Sequence, residues 1–348
     1  MDMNGESRLE RLAEAARRKR LDLVIVSSQA AIRALTGVNC DNALLSLSAA
    51  ARTASAGAAI YTDFRYAPMV RRVAPGIACR DLKRLRLSAR RIGYEPAMPH
   101  LKFLNLQKRA PKAEFVDATE DIAELRAVKT PDEIARVRAA ERLACDIWNK
   151  ASARFGAGMT ERDMARIIQK MMIDRGEGEA FSTIVCVGRN AAECHHEPDD
   201  TLWNGRECVL VDMGVKLGGV CSDLTRNLFP RPSSLYRKVY SVVREANRAA
   251  VAAARPGITG RALDKVARDV IAKAGFGKCF GHSLGHGVGY DVHEAPLLSR
   301  KGKMVLKPGM LVTIEPGIYL EGNLGVRIED LILITEDGCE VLSSSAPI

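Results

Sequence analysis

Between Arg8 and Arg20 the apolar residues fall at Leu9, Leu12, Ala15 and Ala16 among many charged ones, and that spacing predicts a helix with one buried face. Leu21–Ser28, LDLVIVSS, follows as a short β-branched apolar run, and Ala56–Tyr66, AGAAIYTDFRY, is a second that ends in polar residues. Runs of this length separated by helical stretches predict a small sheet covered by helices. Beyond Phe115 the pattern becomes a long helical one, Asp117–Trp148, with Pro131 at the start of an acid-rich turn. Proline is favoured in the first turn of a helix, so a new unit begins near here. The chain is accordingly divided into domains 1–126 and 127–348.

The second domain repeats itself. AGMTERDMARIIQKMMIDRG from Ala157 and PGITGRALDKVARDVIAKAG from Pro256 align at an offset of 99 positions. Gly158, Thr160 and Gly176 then fall on Gly257, Thr259 and Gly275, and Met164, Ile167, Met171 and Met172 on Leu263, Val266, Val270 and Ile271. Each copy reads as a threonine N-cap, an amphipathic helix and a terminating glycine, preceded by a long helix over 131–155 or 233–254. The fold class expected is α/β (α+β): a small α/β domain, then a domain of two related αα-plus-sheet halves that bring their histidines to a common cleft.

Polar residues interrupt these strands in a particular way. Glu207–Phe229, ECVLVDMGVKLGGVCSDLTRNLF, reads as a hairpin with arms Val209–Met213 and Val220–Phe229, a turn at Lys216–Gly219, and one aspartate in each arm, Asp212 and Asp223. MLVTIEPGIYL ends its apolar run in Glu315, and GVRIEDLILIT sets Glu329 among Val, Ile and Leu. A carboxylate buried in a strand is costly unless a cation offsets it, and Arg327 can pair with one acid while four exceed the local basic supply. Gly281–Glu294, GHSLGHGVGYDVHE, holds His282, His286 and His293, half of the chain's 6 histidines, in a stretch too glycine-rich to suggest a good helix or a packed strand. Four carboxylates with one imidazole suit Mn²⁺, Co²⁺ or Zn²⁺, and that much negative charge suits two ions sharing bridging carboxylates.

Composition changes this picture little. The 348 residues are 47% hydrophobic and 27% charged, with no apolar run of membrane-spanning length. The N-terminal stretch lacks the apolar core of a signal peptide, and the 9 cysteines form no C-x-x-C pair, so reduced thiols in a cytoplasmic protein are expected. The net charge of +10 is concentrated in the first third but dispersed, and 5% aromatic content offers little for stacking on bases. It reads as a solvated basic face, with no specific nucleic-acid partner and no membrane partner.

VDMG with Asp212, SDLTR with Asp223, GHG with His286, IEPGIY with Glu315 and VRIED with Glu329 resemble the five-ligand signature of the pita-bread metallopeptidases. The likeness is to the prolidase and aminopeptidase P branch (family M24B), and it extends through IYTDFRY and ELRAVKTPDEIARVR into a creatinase/prolidase-like N-terminal domain. The resemblance implies an exopeptidase that uses a metal-bridging hydroxide to cut the Xaa-Pro bond of peptides with proline second, as an aminopeptidase or a dipeptidase, usually as a homodimer. It implies two divalent ions, manganese or cobalt before zinc, held by Asp212, Asp223, His286, Glu315 and Glu329, with Asp223 and Glu329 bridging. Glu315 would also take the proton, and His195 and His293 would act on the substrate. His282 and Arg327 would support the ligands from behind, with His196 a bystander. Cys194 and Cys221 flank site residues and read as small buried thiols. Leu297 stands where many prolidases carry an arginine for the dipeptide carboxylate; leucine cannot form that pair, which points to longer peptides. The alternative is a non-peptidase on the same fold, another hydrolase or lyase, or a basic interaction module.

Overall fold

The computed structural model describes residues 7–348, which form two compact units that divide between Arg126 and Ala127. In the first, Ser7 caps the helix Arg8–Arg18 by accepting from the Glu10 amide, and the Glu10 carboxylate returns a bond to Ser7. That helix ends two residues earlier than its apolar pattern suggests, because Arg20 takes a left-handed backbone (φ 54°) that no helix continues.

A six-stranded mixed sheet fills the unit, in the order Ala78–Asp81, Ala58–Thr62, Leu44–Ser48, Leu23–Val26, Arg91–Tyr94, Glu114–Asp117. Its two faces are read directly from the alternation of side chains along each strand. Val24, Val26, Leu45, Leu47 and Ile60 enter one core with Leu9, Leu12 and Ile32. Ile25, Leu44, Ala59 and Tyr61 enter a second core with Leu85, Leu106 and Ile92. Both faces are covered, so the strands read as continuous apolar runs.

The second unit is built from two halves of like construction. In the first half, Thr130 caps Pro131–Ser152 and Thr160 caps Glu161–Arg175, each with a reciprocal carboxylate at the third position. These helices pack on an antiparallel sheet ordered Leu224–Leu228, Val209–Met213, Ile184–Val187. In the second half, Ser233 caps Ser234–Ala253 and Thr259 caps Gly260–Lys273. Their sheet runs Glu294–Leu298, Gly285–Gly287, Leu311–Ile314, Asp330–Ile334, Cys339–Val341.

Two expectations change in detail. Gly275 is left-handed (φ 89°) after its helix, whereas Gly176 is extended (φ −133°). Gly176 is small for another reason: a Cβ there would meet Val215 Cγ2 at 2.8 Å and the Lys216 carbonyl at 3.0 Å. The glycine-rich GHG, poor in strand propensity by composition, does form a strand. Gly285–Gly287 is a central strand, and its glycines let the neighbours close in, since a Cβ on Gly285 would lie 2.0 Å from the Thr313 oxygen and one on Gly287 2.2 Å from that of Ala295.

Candidate metal centre

Of the four acids, Asp212 lies in its strand and Glu315 at the end of its run as the apolar pattern suggests, but Asp223 and Glu329 do not lie in mid-strand. Only Asp212 is within a strand, opposite Thr225 in the ladder. The hairpin is broken: Lys216–Leu217 and Val220–Cys221 form their own ribbon about Gly218 (φ 60°) and Gly219 (φ 71°), and Asp223 follows in the gap before Leu224–Leu228. Glu315 stands just past Leu311–Ile314, and Glu329 between Leu324–Arg327 and Asp330–Ile334. A strand end leaves the side chain free of a ladder neighbour on one side, so acids from several strands can turn toward one point.

They do so around His286. Its Nε2 lies 3.3 Å from Glu315 Oε1 and 3.6 Å from Asp223 Oδ2. Donor atoms of Asp223, His286 and Glu329 all fall within 4.8 Å of one another, and all three residues are buried. The His286 Nδ1–H donates to the Gly287 carbonyl at 3.1 Å, which leaves Nε2 turned to the carboxylates. Thr313 fixes two neighbours, accepting from the His286 amide and donating to Glu315. Asp223, His286, Glu315 and Glu329 open into a cavity of about 290 Å³ that His195 and His293 also line, the rings of His286 and His293 being 4.3 Å apart.

Arg327, 3% exposed, links Asp212 to this group. Its Nη2 donates to Asp212 Oδ2 at 2.6 Å, Nη1 to the Tyr319 hydroxyl at 2.9 Å and Nε to Thr225 Oγ1 at 3.1 Å. Thr225 passes its own hydrogen to Glu329 Oε2 at 2.8 Å. His282 completes the chain, its Nε2 2.9 Å from the Tyr319 hydroxyl and its Nδ1 on the Ser283 carbonyl. Sequence reading placed Arg327 and His282 but missed Tyr319, Thr225 and Arg226. Arg226, in SDLTR, is a buried guanidinium that donates to the carbonyls of Glu329, Ser343 and Ala346 and to Asp330 Oδ1, pinning the backbone that carries Glu329. A buried arginine beside an aspartate was the available signal.

Charge in this cluster is unbalanced. Asp223 and Glu329 are held well above the usual carboxyl range, by burial first and then by the other acids around them. Asp212 is raised too, burial outweighing Arg327. Glu315 is lowered despite burial, because His286 donates to it and the positive groups about it favour its charge; His286 is correspondingly raised. Asp212 Oδ1 is buried with no hydrogen-bond partner among the described residues. An orphaned carboxylate oxygen, mutually repelling acids and an imidazole whose Nε2 is turned in among them together fit divalent cations.

A second group, Glu161, His196 and Asp199, lies beside the cavity. It is unsuited to a cation, because the Glu161 oxygens already accept from the amides of Val187 and Asp199, from Asn190 and from His196. Cys221 is buried and Cys194 half-buried; all nine cysteines are free thiols. Leu297 is 48% exposed and does not line the cavity, whose lining contains no lysine or arginine among the described residues.

Paired helix-and-sheet halves enclosing a buried carboxylate–imidazole centre define the pita-bread class of metal-dependent hydrolases. The profile of metallopeptidase family M24 matches residues 135–336, more than half of the chain, and that of the creatinase/prolidase N-terminal domain matches residues 8–128. The chain belongs to metallopeptidase family M24. It is 43% identical to the Xaa-Pro dipeptidase of Lactobacillus helveticus over 237 residues, 67% of this chain and 64% of that relative, so the match spans a little under two thirds of the relative's length. The prolidase from Pyrococcus horikoshii OT3 superposes with a TM-score of 0.90 at 30% identity, covering 97% of each chain. The X-Pro aminopeptidase from Thermotoga maritima MSB8 gives 0.81 at 30% identity, covering 94% of this chain and 97% of that one.

Proposed function

We propose that this protein is a metal-dependent exopeptidase that hydrolyses the Xaa-Pro bond at the N-terminus of peptides. The observation that carries the reading is the buried convergence of Asp223, His286 and Glu329 within 4.8 Å, in a member of a metallopeptidase family. Asp212, Asp223, His286, Glu315 and Glu329 would hold two divalent ions, Mn²⁺ or Co²⁺ before Zn²⁺. Such ions supply Lewis acidity toward a carbonyl and bring the pKa of water down to about 7.

The chain's own residues supply the rest. Glu315, held in its ionised form, accepts a proton at its carboxylate and returns one to the departing amine. His293, whose basicity is depressed by burial and by His286, stays neutral and donates one hydrogen to the substrate carbonyl. His195 stands on the same wall and meets the peptide near the scissile bond. Phe181, Ile184, Pro198 and Val292 line the cavity as well and give a proline ring apolar surface to bury. Arg327, Tyr319 and His282 hold Asp212 in place. A homodimer is proposed on the family likeness, and a cytoplasmic location on the nine free thiols.

The test is hydrolysis by chelator-stripped protein reloaded with Mn²⁺, on peptides that differ only in proline or alanine at the second position. The reading requires cleavage of the proline peptide at least tenfold faster in kcat/KM; equal rates, or none with either, would refute it.

A further inference from the structure

The ring of His195 makes no hydrogen bond among the described residues and is exposed on the cavity wall. An imidazole held in this way takes its place from its backbone alone. Its neighbour is held firmly. His196 Nε2 lies 2.7 Å from Glu161 Oε2, and Nδ1 lies 3.2 Å from Glu193 Oε2. Ionised carboxylates only accept, so these two contacts favour a ring that donates from both nitrogens, although Asn190 Nδ2 also lies 3.3 Å from Nε2.

Glu161 is the first residue of its helix and has no exposed surface. Its Oε1 accepts from the Val187 amide at 2.6 Å and Asn190 Nδ2 at 3.0 Å, and its Oε2 from the Asp199 amide at 3.0 Å. One buried carboxylate therefore ties the end of the strand Ile184–Val187, the turn Gly188–Ala192 and the segment on either side of His195 to a core helix. The internal repeat marks the residue as a departure, for Gly260 stands at the equivalent place. His286 lies on the strand Gly285–Gly287 and is held by the ladder, whereas His195 lies on a loop and has no ladder to hold it.

We propose that Glu161 and His196 are positioning residues for His195, a latch that fixes the loop 188–199 at the level where His195 meets the substrate. The proposal rests on the role given to His195 above. The charged groups facing the His196 ring are Glu161 from the helix and Glu193 and Asp199 from the loop; their charge favours the imidazolium although burial opposes it. The latch touches none of the carboxylates around His286, so releasing it leaves the metal in place.

The experiment uses the full chain loaded with Mn²⁺. Glu161 receives so many donors that its variants are prone to misfold, so His196→Leu carries the test, alone and combined with His195→Ala. A misplaced reacting group costs as much as about a hundredfold, so His196→Leu alone should lower kcat/KM by ten- to a hundredfold. In the His195→Ala background it should cost nothing further, with bound metal unchanged in both. His196→Gln, which keeps a donor for Glu161, should recover part of the loss. Equal losses in the two backgrounds would mean a merely structural role and overturn the proposal, as would no loss at all. Amide exchange across 193–199 gives a readout free of turnover. His196→Leu should speed it, and unchanged exchange overturns the latch even in a protein inert to Xaa-Pro peptides. Inertness of the wild type itself overturns the peptidase reading instead.

Discussion

Arg327 donates to one oxygen of Asp212 at 2.6 Å while the other oxygen, Oδ1, is buried with no partner among the described residues. One half of this carboxylate is held by a fixed guanidinium, and the other half is a buried acceptor that a cation would satisfy. Arginine can hold Asp212, Tyr319 and Thr225 at once because its donors form a rigid fork; lysine offers a single centre. Arg327→Lys is therefore expected to weaken metal binding by about ten- to a hundredfold, the usual cost of losing a residue that orients a ligand. Competition against a fluorescent chelator measures it. Unchanged affinity would contradict the role given to Arg327.

Glu329→Ala and His195→Ala should separate metal binding from substrate handling. The first removes a carboxylate whose neighbours, Asp223 and His286, lie within 4.8 Å, and should empty the site and abolish hydrolysis. The second should keep the metal and lose rate. Elemental analysis beside kinetics decides it, and an empty site in His195→Ala would show that His195 has been misassigned.

Stability should depend on pH through His196. Burial works against its charge, but Glu161 and Glu193 more than offset this, so its folded value lies above the ordinary 6.5. For a group raised in the folded state, the stabilisation is full below the unfolded value and is lost as pH rises through the folded one. The Tm difference between the wild type and His196→Gln should thus be largest below about pH 6.5 and shrink at higher pH. Thermal unfolding in matched buffers checks this; a difference that grows with pH would contradict it.

Peptide length should matter. The cavity lining holds no arginine or lysine among the described residues to fix the free carboxylate of a dipeptide, and Leu297 stands outside it. Tripeptides with proline second are expected to be cleaved at least as well as Xaa-Pro dipeptides, although the L. helveticus relative bears the name of a dipeptidase. Leu297→Arg should raise dipeptide kcat/KM selectively, about tenfold for each 1.4 kcal/mol of recovered pairing. A wild type that strongly prefers dipeptides would show that another group holds the carboxylate.

Much of this arrangement is legible in the sequence, for identifiable reasons. Threonine caps at Thr160 and Thr259 are local features, set by a side chain and an amide three residues on, and both are present. Asp212, Asp223, Glu315 and Glu329 stood out because charge in an apolar run is costly wherever the chain goes. What the runs did not reveal was that Asp223 and Glu329 lie at breaks between strands, since strand ends depend on partners far along the chain. GHG forms a strand against its composition for a related reason: glycine lowers strand propensity by itself, yet here its lack of a side chain is what admits the carbonyls of Thr313 and Ala295. Glu161 escaped notice because an acid in the first turn of a helix is ordinary. Its burial, and the four donors it receives, come from segments 26 to 38 residues away.

The number of ions the centre holds is the property on which its chemistry turns. Stripped protein titrated with Mn²⁺ under calorimetry, with Xaa-Pro hydrolysis followed in parallel, should bind two ions per chain in the wild type, with activity rising as they bind, and neither effect should survive in Asp223→Ala. Hydrolysis that persists in the stripped protein, or a wild type that binds no metal, would contradict the central claim.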